Sequence, residues 1–526
     1  MMQSTVSRER QFLVSLAILG CALGAFLLLA GAGTIVVNRP GGSFNVVLLV
    51  LAPAIGGVWL GLLLTRRLKW ALGMYLIMLP GLFRVQSVAA IVAYVDSVSG
   101  WNQRISATTI ALLALTVVVL ASKVRVSRTD RTFRLIEMLL WGYAIFGTAS
   151  QLLNHEVTSA ILLSVGAFWQ FVALFYLVDR IVEDEGDVRF VLQCLLFSVI
   201  VNIFVRAFTE GTWFFATGAS VAGADSDPLL YSAIDYQRTG GGSNPFGFAV
   251  SYGGYLAFSV PIALYMLRSS SRQGVRRTMA WALAVGLIIL ELLSTFTRGA
   301  ALSLLLIPPL LLLWKSERRV AVYLLMSFVT LMIIAAFLPP VQQVLVGRGL
   351  FLDERFLQIE AVSYRLDLVI QSLDRAFDHW GFGYGIGNEL LFYVPDVRSL
   401  LTVHNLTLGM TQSVGAISTA FFIGGFLVVM YSLFRVSQAS NAAPNLSAYL
   451  FVALAIWLFF ANTTAGVSLT YYYPYETMLL FYTVLFVASA LCRNVRSKTL
   501  ASGNIAPGHA AREINPAPSA VKGLWF

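Results

Sequence analysis

Residues 276–319 read RRTMAWALAVGLIILELLSTFTRGAALSLLLIPPLLLLWKSERR, two apolar runs at about 278–296 and 299–314 with cations at their outer ends. A hydrocarbon core of about 30 Å takes about 20 helical residues to cross, so this stretch is a hairpin of two membrane spans. It leaves from Arg276 and Arg277, turns at the lone cation Arg298, and returns to Lys315, Arg318 and Arg319. Because Lys and Arg are retained on the cytoplasmic side during insertion, the clusters belong inside and Arg298 outside.

The same pattern runs along the chain. Of 526 residues 58% are hydrophobic and 12% charged, and the mean hydropathy is +0.77. A water-soluble fold could not cover that much apolar surface. Fourteen spans are expected, at about 12–32, 45–64, 70–83, 106–121, 135–152, 157–178, 189–205, 247–267, 278–296, 299–314, 320–338, 411–434, 447–466 and 474–491. The third is short and could be re-entrant. The expected fold is an all-α polytopic membrane protein of about 12–14 transmembrane helices, with a large extracytoplasmic loop that contains an amphipathic helix. Its divisions are N-terminal spans over 1–205, a long outer loop over 206–246, spans over 247–340, a large outer loop over 341–408, spans over 409–492 and a tail over 493–526.

Cations sort the loops into two sets. One holds 25 of the 36 basic residues and all five lysines; the other holds eleven arginines, Arg39, Arg84, Arg104, Arg206, Arg238, Arg298, Arg348, Arg355, Arg365, Arg375 and Arg398. The first set is expected inside, with both termini. The net charge of +10 is then a topology signal that needs no nucleic acid as partner. The first span reads as an anchor that stays, and the Pro- and Ala-containing tail reads as disordered. Cys21, Cys194 and Cys492 have no paired spacing, so neither a disulfide framework nor a metal site is expected.

All inside loops are short, leaving no domain for a nucleotide, and no cofactor is expected. Function therefore lies within the spans or outside. In the loop 341–408, Leu366, Val369, Ile370, Leu373, Phe377 and Trp380 follow helical spacing opposite Asp367, Gln371, Asp374 and Asp378, an amphipathic helix lying on the membrane. It ends at Gly381, Gly383, Gly385 and Gly387. Arg375 has Asp378 at i+3 and can be an ordinary surface pair, whereas Arg365 has no acid at i±3 or i±4 and sits at the unfavourable end of the helix dipole. Glu291 is an acid inside a span, seven residues before Arg298 on the same helix face; it is either a functional group or the partner of a snorkelling arginine. Arg238 lies in a Gly-rich turn that is equally compatible with a structural role. Of four histidines, only His404 stands where the long loop meets a span.

His404-Asn405, followed after nine residues by Gly415-Ala416-Ile417-Ser418, resembles the signature of the O-antigen ligase and polymerase superfamily. Ser418 stands where that family prefers Gly, Thr or Tyr. Further pieces are similar in the same order: Arg238 through Asn244-Pro245, Thr297-Arg298-Gly299, Tyr364-Arg365, and Gly381-Phe382-Gly383-Tyr384-Gly385-Ile386-Gly387-Asn388. The likeness covers about Arg238 to Gly425.

The resemblance implies transfer of a glycan from an undecaprenyl pyrophosphate carrier to an acceptor hydroxyl at the periplasmic face, without nucleotide or obligatory metal. Partners would be the lipid-linked donor, a glycan or lipid A core acceptor, membrane lipid, a chain-length regulator and a flippase. Arg298 and Arg365 would grip the pyrophosphate, since the guanidinium fork makes paired charge-assisted bonds and stays charged. His404 would be either the general base or a phosphate ligand; Glu291 would orient Arg298, and Arg238 and Asn405 would bind substrate. Two long outer loops favour a polymerase, with a ligase and a pilin glycosyltransferase as alternatives. From another class comes a polysaccharide transporter, against which stands the scarcity of ionisable groups within spans.

Overall fold

The computed structural model describes residues 56–82, 107–121, 131–210, 249–294, 298–337, 368–375, 381–386, 392–394, 399–401, 405–439, 445–463 and 475–501. The expected span 12–32, the first long loop beyond residue 210, most of the loop 341–408 and the tail beyond 501 lie outside these residues, whereas 206–210 of the expected loop and 493–501 of the expected tail continue as helix. Residues 56–64 are helical, and the named helices then follow as α1 (Leu68–Leu82), α2 (Ala107–Ala121), α3 (Arg131–Asn154), α4 (Val157–Ser164), α5 (Gln170–Ile181), α6 (Glu185–Glu210), α7 (Ala249–Ser270), α8 (Val275–Ser294), α9 (Arg298–Ser303), α10 (Ile307–Leu311) and α11 (Arg318–Phe337). Two short strands, β1 (Phe392–Val394) and β2 (Ser399–Leu401), pair antiparallel with Phe392 opposite Leu401. The chain closes with α12 (Leu406–Val414), α13 (Ala416–Ala439), α14 (Leu446–Thr463) and α15 (Tyr475–Ala501). Apart from that ladder, the regular structure of the described residues is helical.

Among the described residues four helical stretches, Val157–Ile181, Glu185–Phe204, Ala416–Ala439 and Leu446–Thr463, are long and apolar enough to cross a membrane. Two further features suit a lipid environment. Val275, Met279 and Leu283 on α8 form an exposed apolar stripe at i, i+4, i+8, a face that water would penalise. Side chains also bond back into their own helices, as Thr116 to the carbonyl of Leu112, Ser259 to Tyr255 and Thr483 to Leu479, which leaves few polar groups facing hydrocarbon.

Two expected spans are interrupted. The run 299–314 splits into α9, a tight turn at Leu304–Leu306 and α10, because Pro308 and Pro309 have no N–H to bond backwards into a continuous helix. The run 411–434 begins earlier and breaks at Gly415, where φ is 87°. A third span, 157–178, is continuous but wound wider at Val165–Trp169, a π segment. Helix α1, at 15 residues, spans only about 22 Å, short of a full crossing if unaided.

Helices α13, α14 and α15 occupy the middle of the bundle. The first packs on α3, the second on α7 and the third on α5 and α6, while α1 packs on α6 and α8 on α7. The core is a continuous apolar cluster that includes Phe168, Phe171, Tyr482, Phe481 and Trp457, with the last two rings stacked. Packing α13 this closely on α3 requires Gly142, where a Cβ would stand 2.5 Å from the Phe421 ring.

The rods have two polar ends. One gathers Lys69 with Asp187, Arg493 with Asp179, Arg189 with Glu185, and Arg268 with Glu317. All four cations come from the loop set rich in Lys and Arg. At the other end of α14, about 27 Å away over its 18 residues, lies Asn462 beside the start of α12.

Candidate functional site

The end of the bundle around Asn462 is built on the break at Gly415. A Cβ there would stand 2.2 Å from the carbonyl oxygen of Gly381, and the positive φ is costly for any L side chain. The loop 381–386 fills the space against the break. Gly381, Gly383 and Gly385 all have positive φ, and a Cβ on Gly383 would meet the Gln412 carbonyl at 2.5 Å. The loop amide of Tyr384 donates to that same carbonyl at 2.7 Å. Two sequence pieces of the resemblance, the glycine run and the glycine after His404-Asn405, are thus one packed unit.

Asn405 starts α12. Its Oδ1 accepts from the Leu408 amide at 3.0 Å, a side-chain N-cap, and its Nδ2 donates to the carbonyl of Asn462 at 2.9 Å. The carboxamide oxygen of Asn462 in turn receives the amide and hydroxyl of Thr407. The residue directly after His404 is therefore tied to both α12 and α14. His404 itself, Arg365 and Arg238 lie outside the described residues, as does the side chain of Arg298, whose backbone begins α9.

Glu291 is buried, 5% exposed, in the last turn of α8, and a neighbouring group engages it. Since α8 starts one short turn after Arg268, its far end shares the Asn462 side of the bundle. The loop helix over residues 368–374 sits on Leu368 and Ser372, both buried, with Ser372 receiving a bond from Gln412 at 2.8 Å. Ile370 and Leu373 of the expected apolar stripe are half exposed, free to meet lipid.

Residues that the sequence reading did not single out complete the unit, from α3 and the residue directly after it. The Ser418 hydroxyl donates to the carbonyl of Tyr143, which gives the departure from the family pattern a packing role. Ser150 reaches the Ser413 carbonyl, Gln151 Oε1 accepts from the Ile386 amide at 2.8 Å, and Asn154 Nδ2 donates to the Gly383 carbonyl at 3.1 Å. His155, the residue after α3, puts its Nε2 where a Cβ on Gly385 would be 2.6 Å away. That nitrogen is buried and makes no hydrogen bond among the described residues. Burial pushes the imidazole below its usual value, a polar contact with the Ile386 backbone working the other way, so it is neutral at pH 7. The available signal was two carboxamides and a histidine, Gln151, Asn154 and His155, on one face at the end of an apolar span.

Chemically, this unit is a charge-poor shelf of backbone and amides packed along α12 from Asn405 to Gly415. It can hold a reacting group in place; it has no charge of its own to offer a phosphate. Compared with known proteins, the chain matches no protein-family model and no curated protein.

Proposed function

We propose that this protein is a membrane glycosyltransferase that moves a glycan from undecaprenyl pyrophosphate to an acceptor hydroxyl at the periplasmic face of a bacterial inner membrane, with both termini in the cytoplasm. Polymerisation of an O-antigen or exopolysaccharide is the favoured form; ligation to lipid A core and transfer to pilin are the alternatives. The observation that carries the reading is the docking of the glycine run 381–386 on Gly415, ten residues after Asn405. Separate pieces of one sequence resemblance meet in space, which chance likeness would not require.

In this reading the acceptor oxygen attacks the anomeric carbon as the bond to the pyrophosphate oxygen breaks, with inversion. His404 takes the acceptor proton, or else hydrogen-bonds the departing phosphate. Arg298 and Arg365 stabilise the charge that develops on the leaving group, which departs as undecaprenyl pyrophosphate. Glu291 orients Arg298, Arg238 contributes to substrate binding, and Asn405 holds the backbone at 404 while lining the site. Arginine suits the leaving group because its planar fork pairs with phosphate oxygens.

The test is transfer from purified undecaprenyl-pyrophosphate-linked glycan in proteoliposomes. His404→Ala should lower the rate by roughly 10²- to 10⁴-fold with insertion intact. Arg365→Lys should lose most activity and Arg375→Lys little. A ladder of longer lipid-linked chains identifies a polymerase, and glycan on lipid A core a ligase. Wild-type protein that transfers nothing but moves polysaccharide across the vesicle membrane would refute the enzyme reading in favour of a transporter.

A further inference from the structure

The charged end of the bundle is balanced on one side and unbalanced on the other. Around α6 the cations Lys69, Arg189 and Arg493 each meet a carboxylate, of Asp187, Glu185 and Asp179. Around the starts of α8 and α11 the acids run out. Between residues 268 and 325 the sequence holds only Glu291 and Glu317. The first lies at the far end of α8; the second is fully buried and turned to Arg268, the Asn445 amide and Tyr449. Arg272, Arg276 and Arg277 on one turn, and Lys315, Arg318 and Arg319 on the other, are all exposed. Among the described residues none of these six has a carboxylate partner.

Arg268 brings the two turns together. Its Nη2 donates to the carbonyl of Ser316 at 2.9 Å and its Nε faces Glu317 at 3.3 Å. The turn 271–274, which follows Arg268 directly, therefore lies one arginine side chain from residues 315–319. The charge of Arg268 is taken up in that join, and the six exposed cations stand around it. Like charges gathered without a counter-ion repel one another, and those in the first turns of α8 and α11 also oppose the helix dipole. Retention of cations during insertion explains which end they occupy, but not why the neighbouring side is paired and this one is not.

Beneath each cluster the helix surface turns apolar. Arg276, Met279 and Leu283 stand at i, i+3 and i+7 on α8, and Arg319, Val322 and Met326 at the same spacing on α11, all exposed. A cation above an exposed apolar stripe matches the two parts of an anionic phospholipid, phosphodiester above and acyl chain below. The sequence before residue 11 and after 501 brings no net negative charge: Glu9 lies between Arg8 and Arg10, and Glu513 is outnumbered by Arg512 and Lys522. We propose that the two basic turns, joined at Arg268, form a binding site for an anionic phospholipid of the leaflet on that side. The site asks only for a membrane, and stands whether or not the protein transfers glycan.

The test counts lipids retained by the full-length protein in mild detergent, by native mass spectrometry. Wild type should hold phosphatidylglycerol in preference to phosphatidylcholine. Arg276→Gln with Arg319→Gln should weaken phosphatidylglycerol binding by roughly tenfold or more, because each cation near an anionic headgroup contributes. Arg67→Gln with Arg131→Gln, exposed cations at the same end but outside the two turns, should change it by less than about twofold. Equal loss from both pairs would mean general surface charge in place of a site and overturns the proposal, as does equal retention of the two lipids by the wild type. Inorganic phosphate should not displace the lipid; displacement would mean an anion site with no use for an acyl chain, and also overturns it. Should the glutamine variants insert poorly, the wild type decides alone. A photoreactive phosphatidylglycerol in proteoliposomes should label 272–283 and 318–326 above the starts of α1 and α3, and even labelling of all four would end the proposal.

Discussion

The two ends of α14 are fastened by opposite chemistries. At Asn445 the backbone amide and the Tyr449 hydroxyl both donate to the carboxylate of Glu317, which is fully buried and also faces Arg268 at 3.3 Å. At Asn462 every described partner is neutral, drawn from Asn405 and Thr407. The ionic end closes these charges on one another. At the other end neutral amides hold the shelf, and the acid described on that side, Glu291, is buried in the last turn of α8.

The sharpest way to break that contrast is at the neutral end. Gly415→Val puts side-chain atoms into the Gly381 carbonyl at a positive φ and should cost roughly 3 kcal/mol or more, seen as detachment of the loop by exchange and loss of transfer. The ionic end answers to Glu317→Leu, which strands Arg268 and the Asn445 amide and should cost about 3 kcal/mol in thermal unfolding. Activity per folded molecule should survive; its loss would mean that the two ends are coupled. Smaller is Asn405→Ala, expected to remove about 1 kcal/mol of capping and to speed exchange at Leu408, with α15 unaffected.

The smallest effect concerns His155. Its folded-state pKa lies below the unfolded value near 6.5, so the unfolded chain takes up the proton first as pH falls, and stability present above about pH 6.5 is lost on acidification. His155→Gln should flatten the drop in melting temperature between about pH 7.5 and 5.5. Identical slopes in wild type and variant would mean that the imidazole is already solvated.

Much of the scaffold was legible because membrane burial writes itself into composition. The cation sorting anticipated that Lys69, Arg189, Arg268 and Arg493 would share one end of the bundle. Apolarity alone could not locate breaks: Pro308 and Pro309 sit inside an otherwise apolar run, and Gly415 read as a motif letter before it read as a bend. The contacts of Gln151 and Asn154 were illegible for another reason. Each carboxamide is unremarkable beside its chain neighbours, and its meaning comes from a partner 235 or 229 positions away.

That separation also sets a clock. At ribosomal rates of about 5–20 residues per second, the 235 residues between Gln151 and Ile386 take roughly ten to fifty seconds to emerge. Through that interval the α3 end stands in a nascent membrane bundle with its loop-facing carboxamide groups waiting on water or lipid headgroups.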